Sequence, residues 1–308
     1  MPRTKTAPPA LKEEIVLAPE QRRAAFVEVI RAAKRRLLLS VFRCTDFAVM
    51  DALAEARQRK VEVRLLLTPR AQGWIKRLKE LGAYLESMGA QVRSHADLVV
   101  KYHAKYMVAD DRLALVGSAN MTPKCFTTTC DFILITRAPG VVTGLEQLFE
   151  TDWAAPHSSF PAGIDERLIV GPERARAQLT DLLGGARRSI QIIDHKLSDP
   201  SMLALLKAKE KSGVEVRILG AGHLGGLRPH GKLILVDGNT AALGSMALSA
   251  LAMDFRREVS VVVEDPRCVR KLKAFYRLLA SDSQPMSAAQ AAASLRLPGR
   301  KKTGKQKR

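Results

Sequence analysis

The chain lacks any long apolar run. None of its 308 residues falls in the roughly 20-residue hydrophobic stretch a membrane-spanning helix requires. The opening MPRTKTAPPALKEE also lacks the apolar segment of a secretory leader. A cytoplasmic protein, at most peripheral to a membrane, is the expectation. Cysteine is scarce: Cys44, Cys125, Cys130 and Cys268 are too few and too scattered for a disulfide framework. Cys125 and Cys130 have no second ligand pair in the sequence to complete a zinc site, so neither metal nor other cofactor is expected. Aromatic residues make up 5%, low for stacking single-stranded bases, which slightly disfavours a dedicated single-strand binder. Acidic residues are outnumbered 31 to 50 by Lys and Arg, which leaves a net charge of +19. The tail after Gln290 carries seven basic residues and no acid, so about +12 remains on the body. A field of that sign suits a polyanionic partner, either nucleic acid or an anionic membrane surface.

What is present is a sequence written twice. His103-Ala104-Lys105, Asp110 and Gly117-Ser118 recur as His230-Gly231-Lys232, Asp237 and Gly244-Ser245, with the same spacings inside each copy. Pro19 matches Pro172, Lys34-Arg35 match Arg187-Arg188, and VEVR at 61–64 matches VEVR at 214–217, all offset by 153. At the motifs the offset falls to 127, because the first half carries about 26 extra residues. Within those extras, Trp74, Leu78, Leu81 and Leu85 recur at helical steps.

Each half reads as a helix (20–35, 173–186), a strand (37–42, 189–194), a second helix capped by Asp46 or Asp199, a strand (61–67, 214–219), the motif strands and a closing helix (140–152, 266–280). Strands alternating with helices give an α/β fold of two similar lobes, each a mixed sheet flanked by helices, related by a pseudo-two-fold axis. The expected organisation is a disordered 1–14, a first lobe at 15–155, a second at 165–282 and a basic, disordered tail at 283–308. His195-Lys196 ends a strand where α/β sites gather, and the glycine-rich run 220–226 could rim a site; each also has a purely structural reading.

Period-two alternation puts His103 and Lys105 on one face of their segment, and His230 and Lys232 likewise. A phosphodiester repels nucleophiles until cations neutralise it, a neutral imidazole can attack phosphorus, and the departing alkoxide needs a proton from an acid near pKa 7. One copy supplies one histidine and one lysine, whereas two copies complete the set. Asp131 and Glu258 each follow their copy's histidine by 28 residues and could accept the second ring N–H of the histidines. Asn120 adds an amide after Gly117-Ser118, but Ala247 stands at that place in the second copy.

These motifs, over residues 15–280, resemble those of the phospholipase D superfamily, whose mark is H-x-K-x4-D-x6-G-S-x-N. The resemblance implies a shared active site complete in one chain, a phosphohistidine intermediate and no required metal. His103 would be the nucleophile and His230 the general acid, although the spacing does not decide between them. Lys105, Lys232, Ser118, Ser245 and Asn120 would hold phosphate, and Asp110 and Asp237 would brace the local fold with ion pairs, with Gly117 and Gly244 as structural members of the motif. The leading expectation is hydrolysis or transfer of phospholipid head groups at an anionic membrane surface. A nuclease using the same two histidines is the alternative, and a binder weakened by Ala247 is a third reading.

Overall fold

The structure, a computed structural model, describes residues 13–68, 75–94, 101–154, 160–220, 222 and 224–295. Among these, the first lobe carries a seven-stranded sheet in the order Glu13–Val16, Ile133–Thr136, Leu113–Gly117, Tyr106–Ala109, Arg36–Val41, Glu62–Leu67, Gln91–Ser94. The second carries six strands in the equivalent order: Leu168–Val170, Val259–Val263, Thr240–Gly244, Lys232–Val236, Ser189–Ile193, Glu215–Leu219. The 26 extra residues thus account for helix Ile75–Ser87 and the added edge strand Gln91–Ser94, which pairs parallel with Glu62–Leu67. Leu78, Leu81 and Leu85 are buried as the spacing predicts, while Trp74 lies outside the described residues.

Strands such as RLLLSV are apolar on both faces because both faces are covered. Leu37 and Leu39 pack under the outer helices Pro19–Ala32 and Phe47–Gln58, while Leu38 faces inward. The inward faces of both sheets and the helices Pro139–Ala154 and Pro266–Asp282 form one continuous core, in which Val116 and Leu134 of one lobe join Leu243 and Val261 of the other. Helices Ala175–Gly184, Pro200–Lys211 and Ala288–Ser294 cover the second sheet's outer face. Asp46 and Asp199 cap their helices by accepting the N–H of Val49 and Met202.

Two expectations change. The tail read as disordered from 283 is built into the fold through 294: Met286 bridges to Ile218, and Ser287 starts a capped helix whose Ala288, Ala291 and Ala292 are buried. Alanines without a periodic large apolar residue gave the sequence no signal for it. Residues 296–308 lie outside the described part. Asp110 and Asp237 brace the fold through the backbone rather than through ion pairs. The Asp110 carboxylate accepts the N–H groups of Lys34, Arg35 and Arg36 at 2.7–2.9 Å, and Asp237 accepts those of Arg187, Arg188 and Ser189. Each aspartate sits at φ +52°, a left-handed turn that Asp tolerates.

Burial opposes ionisation of Asp110, but the three backbone N–H groups outweigh it and hold the carboxyl below its ordinary value. A depressed folded-state pKa means the contribution is complete above the unfolded value and is lost as pH falls through the folded one. Asp110→Ala is therefore expected to destabilise the protein by about 2 kcal/mol at pH 7. In chemical denaturation, the gap between variant and wild type should narrow below pH 4. An unchanged gap there would show that the charge plays no part.

Candidate active site

Two very short parallel strand pairs cross between the lobes and build the site. Arg228–Pro229 pairs with Thr129–Cys130, and Arg256–Arg257 pairs with Lys101–Tyr102. The next residue along each strand is the chemical one. The first pair sets His230 beside Asp131, and the second sets His103 beside Glu258. His230 Nδ1 lies 2.7 Å from Asp131 Oδ1, and His103 Nδ1 lies 2.9 Å from Glu258 Oε2. Each histidine is therefore oriented by the carboxylate of the other lobe, so neither lobe contains a complete dyad.

The motif spacing has a local reason in each case. Tyr102, Ala104 and Tyr106 point into the core, which turns His103 and Lys105 the other way. Lys105 Nζ donates to the His103 carbonyl at 2.6 Å and lies 3.3–3.4 Å from its ring nitrogens. Lys232 Nζ donates to the His230 carbonyl in the same way. Gly117 and Gly244 let their strands lie against the segment that carries the acid. A Cβ would come within 2.7 Å of the Phe132 carbonyl at Gly117, and within 2.4 Å of the Val259 carbonyl at Gly244.

The serines behave differently from the phosphate donors expected of them. Ser118 is buried; its hydroxyl donates to Asp131 Oδ1 at 2.6 Å and accepts the N–H of Phe132. Ser245 is buried as well and is bonded to the backbone of Val259. Both hydroxyls tie the acid-bearing strand to the motif strand, a role that a small hydroxyl fills as readily as phosphate contact and that spacing could not separate. Asn120 does line the cleft; its amide N–H donates to Cys125 Sγ, and its buried amide oxygen, an acceptor, has no partner. Its counterpart Ala247 is buried against the outer core of the second lobe.

Sequence reasoning missed several residues here. Thr129 donates its hydroxyl to Asp131 Oδ2. Arg22, fully buried inside an otherwise ordinary helix, donates to the carbonyls of Leu17, Cys125 and Thr129 and so pins the loop before Asp131. Phe42 packs edge-on against His103 at 4.3 Å, with Arg43, Lys101 and Lys105 each within 5.5 Å of its ring centroid. Only the preceding strand hinted at Phe42, since it stands at the strand's carboxyl end.

The electrostatics are unequal across the pseudo-two-fold. Burial, then Lys105, Lys232, Arg256 and Lys196, hold His103 well below the ordinary histidine value, so its imidazole is neutral. Burial also raises the Glu258 carboxyl, against the pull of Lys105 and Lys232. On the other side, burial opposes ionisation of Asp131, but His230 and the Ser118 and Thr129 hydroxyls outweigh it and the carboxyl lies below its ordinary value. Burial pushes the Lys105 ammonium down to about 7, with Glu258 opposing and Lys232 adding.

A cleft of about 370 Å³ opens beside His230, lined by Arg43, Asn120, Thr122, Lys124 and Arg228. Cys125, Asp131 and His230 each place a donor atom within 4.8 Å of the others, a set that could hold a metal ion. Cys125 reaches it through the fold, which is why its spacing to Cys130 gave no sign. All four cysteines are free and buried.

The family described as "Cardiolipin synthase, PLD-like domain" matches residues 26–153. That match covers the first lobe, and the second lobe repeats its motif. The chain is similar to the phospholipase D superfamily. Cardiolipin synthase A of Pseudomonas fluorescens (strain Pf-5) is 32% identical over 130 residues, 42% of this chain and 27% of that protein. Cardiolipin synthase A of Pseudomonas aeruginosa (strain LESB58) is also 32% identical, over 42% of this chain and 26% of its own length. The match thus spans about a quarter of these relatives. Two solved structures share the fold of this phospholipase D-like chain. Polyphosphate kinase from Porphyromonas gingivalis superposes with a TM-score of 0.69 at 16% identity, over 95% of this chain and 56% of that one. Phosphatidylserine synthase from Haemophilus influenzae superposes with a TM-score of 0.66 at 12% identity, over 90% and 88%. Among the described residues, no helix is long and apolar enough to cross a membrane.

Proposed function

We propose that the chain is a phosphodiesterase of phospholipase D type that hydrolyses or transfers phospholipid head groups through a phosphohistidine. The crossed histidine–carboxylate pairs carry this reading, because they supply two imidazoles with fixed tautomers in unequal fields. With Nδ1–H of His103 donated to Glu258, its Nε2 lone pair is free to attack phosphorus. The P–O bond to the head group breaks, and the departing alkoxide takes a proton from His230. His230 then removes a proton from water or an alcohol, whose oxygen displaces His103 from phosphorus. Asp131, held ionised, accepts the Nδ1–H of His230 and so aims its Nε2 for this exchange. Lys105 and Lys232 neutralise the phosphate, the Asn120 amide would reach it by turning its N–H from Cys125 into the cleft, and Ser118 and Ser245 position the acids.

Lipid is favoured by an apolar cavity of about 420 Å³ that shares Thr45 with the catalytic cleft and is lined by Phe47, Met50, Leu81 and Tyr84. Phe47 is 77% exposed, an uncommon state for so large an apolar side chain unless it meets a ligand. The net charge of +19 favours the second reading, a nuclease.

Head-group release from mixed anionic vesicles in excess EDTA separates the two. Release is expected from the wild type and not from His230→Ala. Nicking of plasmid DNA in the same buffer, with intact vesicles, would replace the lipid reading by the nuclease one.

A further inference from the structure

A second pocket, of about 340 Å³, lies at the pseudo-symmetric position to the catalytic cleft and is lined by His195, Lys196, Leu197, Ser198, Ser249, Leu251, Arg256 and Leu295. It adjoins the site directly: Arg256 lies 3.8 Å from Glu258, which pairs with His103. His195 and Lys196 are exposed residues, and their side chains make no hydrogen bond or ion pair among the described residues. The duplication accounts for Lys196, whose first-lobe counterpart Arg43 lines the catalytic cleft, but not for His195 and Arg256, whose counterparts by the two offsets are Phe42 and Thr129.

The charge around the histidines exceeds what one phosphodiester needs. Arg43, Lys101, Lys105, Lys196, Lys232 and Arg256 act on one another or on His103, against the buried acids Asp131, Asp194 and Glu258. Lost hydration, then Lys232 and Arg256, lowers the Lys196 pKa; lost hydration, then Lys232, Lys196 and His230, lowers His195 to about 4. A neutral His195 still offers a ring N–H, and an anion among these groups would relieve their repulsion. A phosphodiester brings a single negative charge to the catalytic lysines. The excess calls for a second anion, and the pocket lies where that anion would sit.

We propose that His195, Lys196 and Arg256 form a site for a second phosphate group, carried by a phospholipid substrate in addition to the phosphodiester that is cleaved. The inference rests on the lipid reading above. Leu251 and Leu295, 53% and 49% exposed, line the same pocket and suit an amphiphile, and no Phe, Tyr or Trp among the described residues lines it to stack a base.

The test compares two soluble short-chain lipids with the full-length protein: dihexanoyl phosphatidylglycerol, and the same lipid phosphorylated on its glycerol head group. The wild type is expected to favour the second by about tenfold or more in kcat/KM, mainly through KM, since charge-assisted contacts to phosphate are strong. Lys196→Gln, alone or with His195→Gln, is expected to bring the ratio close to one. Lys211→Gln, an exposed site on the same lobe, should keep the wild-type ratio. Equal use of both lipids by the wild type, or a ratio unmoved by Lys196→Gln, overturns the second-phosphate site and leaves the lipid reading standing. Turnover of neither lipid alongside cleavage of an oligonucleotide overturns both.

Discussion

His103→Ala is expected to lower kcat by about 10⁴-fold or more without loss of fold, because the first bond to phosphorus is made by that imidazole. The side chain, 12% exposed and packed edge-on against Phe42, belongs to none of the hydrophobic cores, so thermal stability should stay near wild type. The His103→Ala, His230→Ala double variant is expected to be about as slow as either single variant, since the two act in one sequence of steps. The pH profile carries a second signature. His103 must be neutral to attack, and its depressed pKa places the acidic limb of kcat/KM below the ordinary histidine value of 6.5. Lys105 must be charged to neutralise phosphate, so the free enzyme's profile should decline above about pH 7. Steady-state rates on a soluble diester between pH 4 and 9 check both limbs. A residual rate within tenfold of wild type in His103→Ala would remove this histidine from the chemistry.

Asp131→Asn is expected to cost about 10²–10⁴-fold in kcat, comparable to neutralising the orienting acid of other histidine dyads. Asp131 receives His230 Nδ1–H and the hydroxyls of Ser118 and Thr129, and an amide can serve only part of that set. KM should move little, because Asp131 is fully buried behind His230 and does not face the cleft. The crossed geometry makes this prediction specific. In proton NMR, Asp131→Asn should remove the low-field ring N–H signal of His230, from the other lobe, and spare that of His103. Glu258→Gln should do the reverse. Loss of the His103 signal in Asp131→Asn would mean that each acid serves its own lobe, contrary to the strand register that sets them side by side.

Much of this could be read in the chain. Apolar periodicity located the outer helices and the strands, because burial on one face leaves a repeat in the sequence. The duplication gave the two lobes and their order, and even the extra segment at 75–94 was visible as a change of offset. What the sequence withheld was everything set between the lobes. The Asp131 and Glu258 spacings singled out the two acids that lie beside the histidines, but only the short parallel pairs at Thr129–Cys130 and Arg256–Arg257 show which histidine each one meets. Ser118 and Ser245 were ambiguous because a hydroxyl's partner depends on what packs against it. Phe42 carried only its place at a strand's carboxyl end and Arg22 no signal: a phenylalanine after a strand and an arginine in a helix are commonplace until a neighbouring loop closes over them. Asp110 and Asp237 illustrate a milder loss, where the bracing role was legible but the backbone acceptor geometry was not.

The central claim, a covalent intermediate on His103 released with help from His230, is tested most directly with bis(p-nitrophenyl) phosphate and the His230→Ala variant. The p-nitrophenolate leaving group needs no proton, so the first step should proceed while the second stalls. The expected result is a burst of about one p-nitrophenolate per protein and, after alkaline quench and digestion, a p-nitrophenyl phosphate adduct on the peptide containing His103. A burst with no adduct on that peptide, or an adduct on His230 in the His103→Ala variant, would contradict the account.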